Sequence, residues 1–177
     1  MKGRPSRKDV ILDAASRVVE LHGAGHLTID AVAEAADVSK GGVLYHFPSK
    51  QALLTGMLDR MLAGFRTGMA STECGRGRVH AHTMAFSSPP SRTDRSAALA
   101  LLAASAENPE LLANARAFMS EMIEESRGSE NFADALIQII AVEGQRVLHA
   151  LGLLPLSTAE QKQLTRRLIE RAESLST

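Results

Sequence analysis

The sequence predicts an all-helical protein, and three observations carry that expectation. Nearly every segment is rich in Ala, Leu, Glu, Arg and Met, residues that lose little conformational freedom in a helix. Apolar residues recur at three- and four-residue spacing along most of the chain. Almost no stretch alternates apolar with polar, as a half-buried strand would. With 177 residues, 45% of them apolar and 23% charged, the chain has the composition of an ordinary globular protein with a sizeable core. No apolar run approaches the roughly 18 residues of a membrane helix, and the opening Met-Lys-Gly-Arg-Pro-Ser-Arg-Lys offers no apolar stretch for a signal peptide, so a cytoplasmic address with no membrane partner is expected. A single cysteine, Cys74, excludes an intramolecular disulfide framework, in keeping with a reducing compartment.

The expected first helix opens at Ser6, with Asp9 three residues on as a capping-box pair. It carries Ile11, Ala15, Val18 and Val19 on one face and stops at Gly23. Two short helices follow, Thr28 to about Ala36 and Ser39 to about Phe47. Pro48 then blocks continuation, and Ser49 caps a long fourth helix striped with Leu54, Leu58, Met61, Leu62, Phe65 and Met69. Gly75, Gly77 and the run Ser87 to Ser91 isolate a short helix from Val79 to Phe86, before an Ala-rich run that reaches Glu107. Asn108-Pro109-Glu110 is a good helix start, with a capping side chain, proline at the first position and an acid at the positive end; that helix should end near Gly128. A long apolar helix from about Glu130 to Leu151 ends at Gly152, and Ser157 with Glu160 caps a last one ending near Ser174. About nine helices result. They divide into an N-terminal three-helix domain over residues 1–48 and a helical body over residues 49–177.

The spacing from Thr28 to Phe47 is that of a helix-turn-helix, whose second helix lies in the DNA major groove. Ala33 must be small where the second helix crosses, while Ile29, Val32, Val38 and Val43 supply a shared core. Asp37 occupies the turn position that demands left-handed geometry, which Asp tolerates better than most residues. Net charge is zero, yet Lys2, Arg4, Arg7 and Lys8 precede the first acid, so the N-terminus is a basic arm that either meets phosphate or is simply solvated. Lys40 and Lys50 each follow a capping serine. A cation at the positive end of a helix is mildly unfavourable, by about 0.3–1 kcal/mol, and a phosphate there reverses the sign; two solvated surface lysines are the alternative.

The run Ala33-Glu34-Ala35-Ala36-Asp37-Val38-Ser39-Lys40-Gly41-Gly42-Val43-Leu44-Tyr45-His46-Phe47-Pro48-Ser49-Lys50-Gln51-Ala52-Leu53-Leu54 resembles the signature of TetR/AcrR-family transcriptional regulators. The likeness is close over about residues 8–55. Beyond them it rests on helix count and on pieces such as Val142-Glu143-Gly144 and Leu148 to Leu153. The resemblance implies a sequence-specific, double-stranded DNA-binding repressor, released from a palindromic operator by a small apolar effector. Thr28 and Ser39 would present hydroxyls and helix N-termini to phosphates, Lys40, Gly41 and Gly42 would face base edges, and Tyr45, His46 and Lys50 would contact backbone or bases, with Arg4 and Arg7 in the arm. Two features depart from the pattern. Many relatives carry Tyr at Leu44, with the next aromatic at Tyr45, and Gly41-Gly42 replaces the commoner Gly-Thr. The glycines cost helix stability, about 1 kcal/mol each against Ala, but let the backbone approach bases.

Outside that segment, the soft residues Met61, Phe65, Met69, Phe118 and Met122 are either core or, as the family places its cavity, the wall of an effector pocket. The last two helices carry more apolar surface than a small body readily hides, including Leu136, Ile140, Leu164 and Leu168. The resemblance assigns them to a homodimer interface, and ordinary internal packing is the alternative. His80, His82 and Cys74 lack the spacing of a metal site and read better as solvated loop residues, so neither metal nor cofactor is expected. An enzyme is the main competing class, and a constitutive DNA-binding protein without effector another. The chain has no phosphate-binding glycine loop, nucleophile elbow or His-Glu-x-x-His motif.

Overall fold

A capping box starts the chain's first helix: the Ser6 hydroxyl accepts the Asp9 N–H at 3.2 Å, and the Asp9 carboxylate accepts the Ser6 N–H at 3.3 Å. The computed structural model describes residues 6–72, 77–86, 92–127 and 130–175. Among these residues are nine α-helices and no strand. They are α1 (Arg7–His22), α2 (Ile29–Ala36), α3 (Lys40–His46), α4 (Lys50–Thr72), α5 (Arg78–Phe86), α6 (Arg92–Ser105), α7 (Ala113–Ser126), α8 (Phe132–Ala150) and α9 (Thr158–Ser174). The all-helical class and the predicted helix order hold. Two short 3-10 segments, Ala24–His26 and Pro109–Leu112, were not anticipated.

The chain forms two compact units, one of residues 1–61 and 91–114, the other of residues 62–90 and 115–177. In the first unit α1 packs on α2 and α6, and α2 on α3. The face expected on α1 is buried throughout, at Ile11, Ala15, Val18 and Val19, and meets a core that includes Leu27, Val32, Val43 and Phe47. Arg60 of α4 ties to α1, donating to the Asp13 carboxylate at 2.6 Å and to the Ser16 hydroxyl at 3.2 Å. In the second unit α5 packs on both α8 and α9, which also pack on each other. Its core includes Phe86, Phe118, Met122, Ile139 and Val142. The buried amide of Gln138 donates to the Thr83 hydroxyl at 3.1 Å and to the Leu168 carbonyl at 2.7 Å, joining all three helices.

Two expectations need correction. Asn108 caps as predicted, its side chain accepting the Glu110 N–H at 3.2 Å, but the residues after it wind into a 3-10 segment. The Ala113 N–H closes on the Glu110 carbonyl three residues back, so α7 begins only at Ala113. His80 and His82 are buried on α5, not solvated in a loop. They lie where the helix packs against α8 and α9, and periodicity could not distinguish that helix from a surface one. The basic-arm residues Lys2 and Arg4, together with Cys74, Gly75 and Gly128, lie outside the described residues.

Candidate nucleic-acid interface

Three capped helix starts succeed one another between Thr28 and Ala52. The Thr28 hydroxyl accepts the Ala31 N–H at 3.1 Å, Ser39 accepts Gly42 N–H at 3.0 Å and Ser49 accepts Ala52 N–H at 3.1 Å. Between the first two, Asp37 adopts φ 53°, ψ 48°, the left-handed conformation expected of it. The turn is closed by Asp37 N–H to the Glu34 carbonyl at 3.2 Å and Val38 N–H to the Ala33 carbonyl at 3.0 Å. Ala33, Val32 and Val43 are buried as predicted, whereas Ile29 and Val38 are half-buried at the rim.

This frame fixes which side of α3 faces out. Val43 and the following Phe47 are buried, so Gly41, Leu44 and Tyr45 lie on the opposite side in solvent, with Gly42 and His46 half-buried at its margins. Tyr45 is 84% exposed, the most exposed large apolar side chain among the described residues, and its ring meets that of His46 edge-on at 5.0 Å. Lys50 stands exposed in the first turn of α4. Lys40 follows the Ser39 cap as expected, and its ammonium lies 3.0 Å from the carboxylate of Asp30 in the first turn of α2. Such an exposed pair is worth about 0–1 kcal/mol, little enough for a phosphate or base edge to replace it. Ten residues separate the two, and only the folded turn brings them together. Leu44 was also missed as a solvent-facing residue of α3. Lys8 of the basic arm sits 5.7 Å over the Phe47 ring, while Arg7 is exposed at the start of α1.

The other singled-out residues lie in several places. Met61 belongs to the first unit and is half-buried. In the second, Met69, Phe118 and Met122 are buried, and Phe65 stacks on Phe86 with ring centres 4.2 Å apart. A cleft of about 440 Å³ in the first unit has other walls, among them Gly25, Lys50, Leu54, Ala104 and Glu107. Leu136, Leu164 and Leu168 are half-buried, and Ile140 is 60% exposed. Near Ile140, Ile137, Val147 and Leu148 are also exposed along α8, and Leu151 at its C-cap, a stripe at helical spacing. No group of three or more potential ligands that could hold a metal occurs among the described residues, and none of their helices is long and apolar enough to cross a membrane.

The profile of bacterial regulatory proteins of the tetR family matches residues 11–57, and that of the tetracyclin repressor-like C-terminal domain matches residues 76–173, more than half of the chain. The chain belongs to the TetR family. It is a DNA-binding transcriptional regulator and not an enzyme. Solved TetR-family structures share the fold. A family member from Streptomyces coelicolor A3 is 23% identical, with 93% of this chain and 99% of that one covered and a TM-score of 0.72. A TetR transcription regulator from Haloarcula marismortui is 17% identical, with 95% and 97% covered and a TM-score of 0.74. The multidrug binding protein EbrR, complexed with imidazole, is 21% identical, with 94% and 96% covered and a TM-score of 0.66. No curated protein matches the sequence.

Proposed function

We propose that this TetR-family regulator is a repressor that binds a palindromic operator as a homodimer and is released by a small, mainly apolar effector. The observation that carries the DNA-reading half is the solvent face of α3, an 84%-exposed Tyr45 beside two glycines, set between the capped helix starts at Ser39 and Ser49. Backbone N–H groups and helix dipoles at Thr28, Ser39 and Ser49 suit phosphates, with Lys50, Arg7 and Arg4 adding charge. Lys40, freed from Asp30, and the approach allowed by Gly41 and Gly42 suit base edges, with Tyr45 and His46 beside them. Residues 1–48 are the reading head in this account, and residues 49–177 sense the effector and dimerise.

The exposed Ile137, Ile140 and Val147 of α8 and Leu151 at its C-cap support a twofold interface built with Leu136, Leu164 and Leu168. Solved complexes of EbrR with imidazole and with proflavin support an effector of small-molecule size, taken up near Phe65, Met69, Phe118 and Met122 of the second unit, without Met61 of the first. The lever is α4, one continuous helix from Lys50 to Thr72. A ligand can shift the DNA-binding equilibrium only by its differential affinity for two states, typically about 1–3 kcal/mol, and operator must weaken ligand binding by the same factor. Calorimetric titration of proflavin and other screened compounds into free and operator-bound protein tests this. A ligand bound about tenfold or more weakly by the complex supports the reading. Equal affinity for every ligand found makes the protein a constitutive DNA binder.

A further inference from the structure

A half-buried cluster in the second unit gives the effector a chemistry. Phe65 of α4 and Phe86 of α5 stack with ring centres 4.2 Å apart, and the guanidinium of Arg146, from α8, lies 4.0 Å from the Phe86 centre and 4.5 Å from that of Phe65. The same guanidinium donates to Glu143 Oε2 at 3.0 Å. The other carboxylate oxygen, Oε1, lies 3.0 Å from Nε2 of a fully buried His82, whose ring packs on Phe86 at 4.4 Å. Burial pushes the Glu143 carboxyl up, but the His82 hydrogen bond and the Arg146 charge outweigh it and hold the group below its ordinary range, ionised at neutral pH. Two aromatic faces and a carboxylate around a flat delocalised cation form a cation-recognition box, and the chain's own arginine fills it. Ring faces carry negative charge density, so an anion placed there would meet repulsion from both rings and from Glu143.

A second observation points to a ligand. His82 Nδ1, on the ring that packs on Phe86, is buried with no hydrogen-bond partner among the described residues. That nitrogen is available to a hydrogen-bonding group brought by a ligand. Arg146 is tethered by a long flexible stem, and its side chain is 20% exposed, so it can swing to water when something better fills the box.

We propose that Phe65, Phe86, His82 and Glu143 form the recognition site for a small planar cation bearing N–H donors, an amidinium or amino-heteroaromatic cation, and that Arg146 is its built-in competitor. The proposal rests on the reading of residues 49–177 as the effector-sensing part, and sharpens the mainly apolar effector into an aromatic cation.

The test is calorimetric titration of the full-length protein, at up to millimolar concentration, with benzamidinium, neutral benzamide and anionic benzoate. Benzamidinium binds, benzamide binds at least about tenfold more weakly, and benzoate does not bind. Glu143→Gln abolishes the preference for the cation, and Arg146→Ala tightens benzamidinium binding severalfold by removing the competitor. Circular dichroism checks that each variant is folded; should Glu143→Gln unfold, the ligand series on the unaltered protein and Arg146→Ala decide. No benzamidinium binding, benzamide or benzoate binding as tightly, or an unchanged affinity in Arg146→Ala overturns the proposal. If it fails while another compound still weakens operator binding, the effector-released repressor stands without this box. If benzamidinium binds as described and operator affinity is unmoved by every bound ligand, the box stands and release by an effector falls.

Discussion

At the scale of single residues, the first unit depends on two positions, one constrained in its backbone and one in its space. Asp37 holds φ 53°, which costs an ordinary L-residue about 1–2 kcal/mol and a β-branched one more. Asp37→Val is expected to lower stability by about that amount, while Asp37→Gly leaves it unchanged or raises it; chemical denaturation of both variants checks this. Gly56 of α4 lies against the buried Phe47, where a methyl group would fall 2.5 Å from Phe47 Cε1 and 3.4 Å from Leu12 Cδ2. Gly56→Ala should therefore cost about 1–3 kcal/mol by overpacking, measured in the same way, and should disturb the end of α3. The first position was legible because a turn at that spacing needs a left-handed residue. The second was not, since a glycine inside a helical run reads only as a weak spot until its neighbour is known. Lys40 shows the same limit: its place at a helix start could be read, but its pairing with Asp30 exists only across the folded turn.

At the scale of elements, helix starts were the most legible feature, because a cap is a local bond between residues two or three apart. Ser6 with Asp9 and Ser157 with Glu160 each form the expected box. Asn108 caps as read, but two local bonds to nearby carbonyls tighten the chain into a 3-10 segment, and no periodicity announces that. What α5 buries was illegible for a different reason. His80 and His82 are buried on a helix that packs against α8 and α9, at least 50 residues away in sequence. The bond from His82 on α5 to Glu143 on α8 gives this packing a pH signature. Because the folded carboxyl titrates below its ordinary value of 4.5, its contribution is fully present above that value and is lost as pH falls through the lower folded one. Glu143→Gln should lower stability by about 1–3 kcal/mol at pH 7, and the deficit should shrink progressively below about pH 4.5. Thermal melts between pH 7 and pH 3 check it, and a deficit independent of pH would show that Glu143 does not stabilise the unit through its charge.

At the scale of the whole molecule, TetR-family membership was legible from the run around α3, while the exposed apolar stripe of α8 was legible only in part. Leu136, Leu164 and Leu168 prove half-buried, and the most exposed apolar side chains of α8, Ile137 at 51% and Ile140 at 60%, include one that periodicity had not marked, because core and interface residues share one spacing. If α8 and α9 join two copies, Ile140→Glu should shift the dimer toward monomer at micromolar concentration, and operator affinity should fall with it; sedimentation equilibrium with and without operator checks both. The central claim, that α3 and its flanking capped helices read a palindromic operator, is tested most directly by selecting bound DNA from a random duplex pool with the unaltered protein. An inverted repeat should be recovered, with half-sites about one helical turn, or a multiple of it, apart. Binding should also weaken steeply with salt, with a shallower slope in Lys50→Ala by about one counterion per half-site. Recovery of no common sequence, or of one without twofold symmetry, would contradict the central claim.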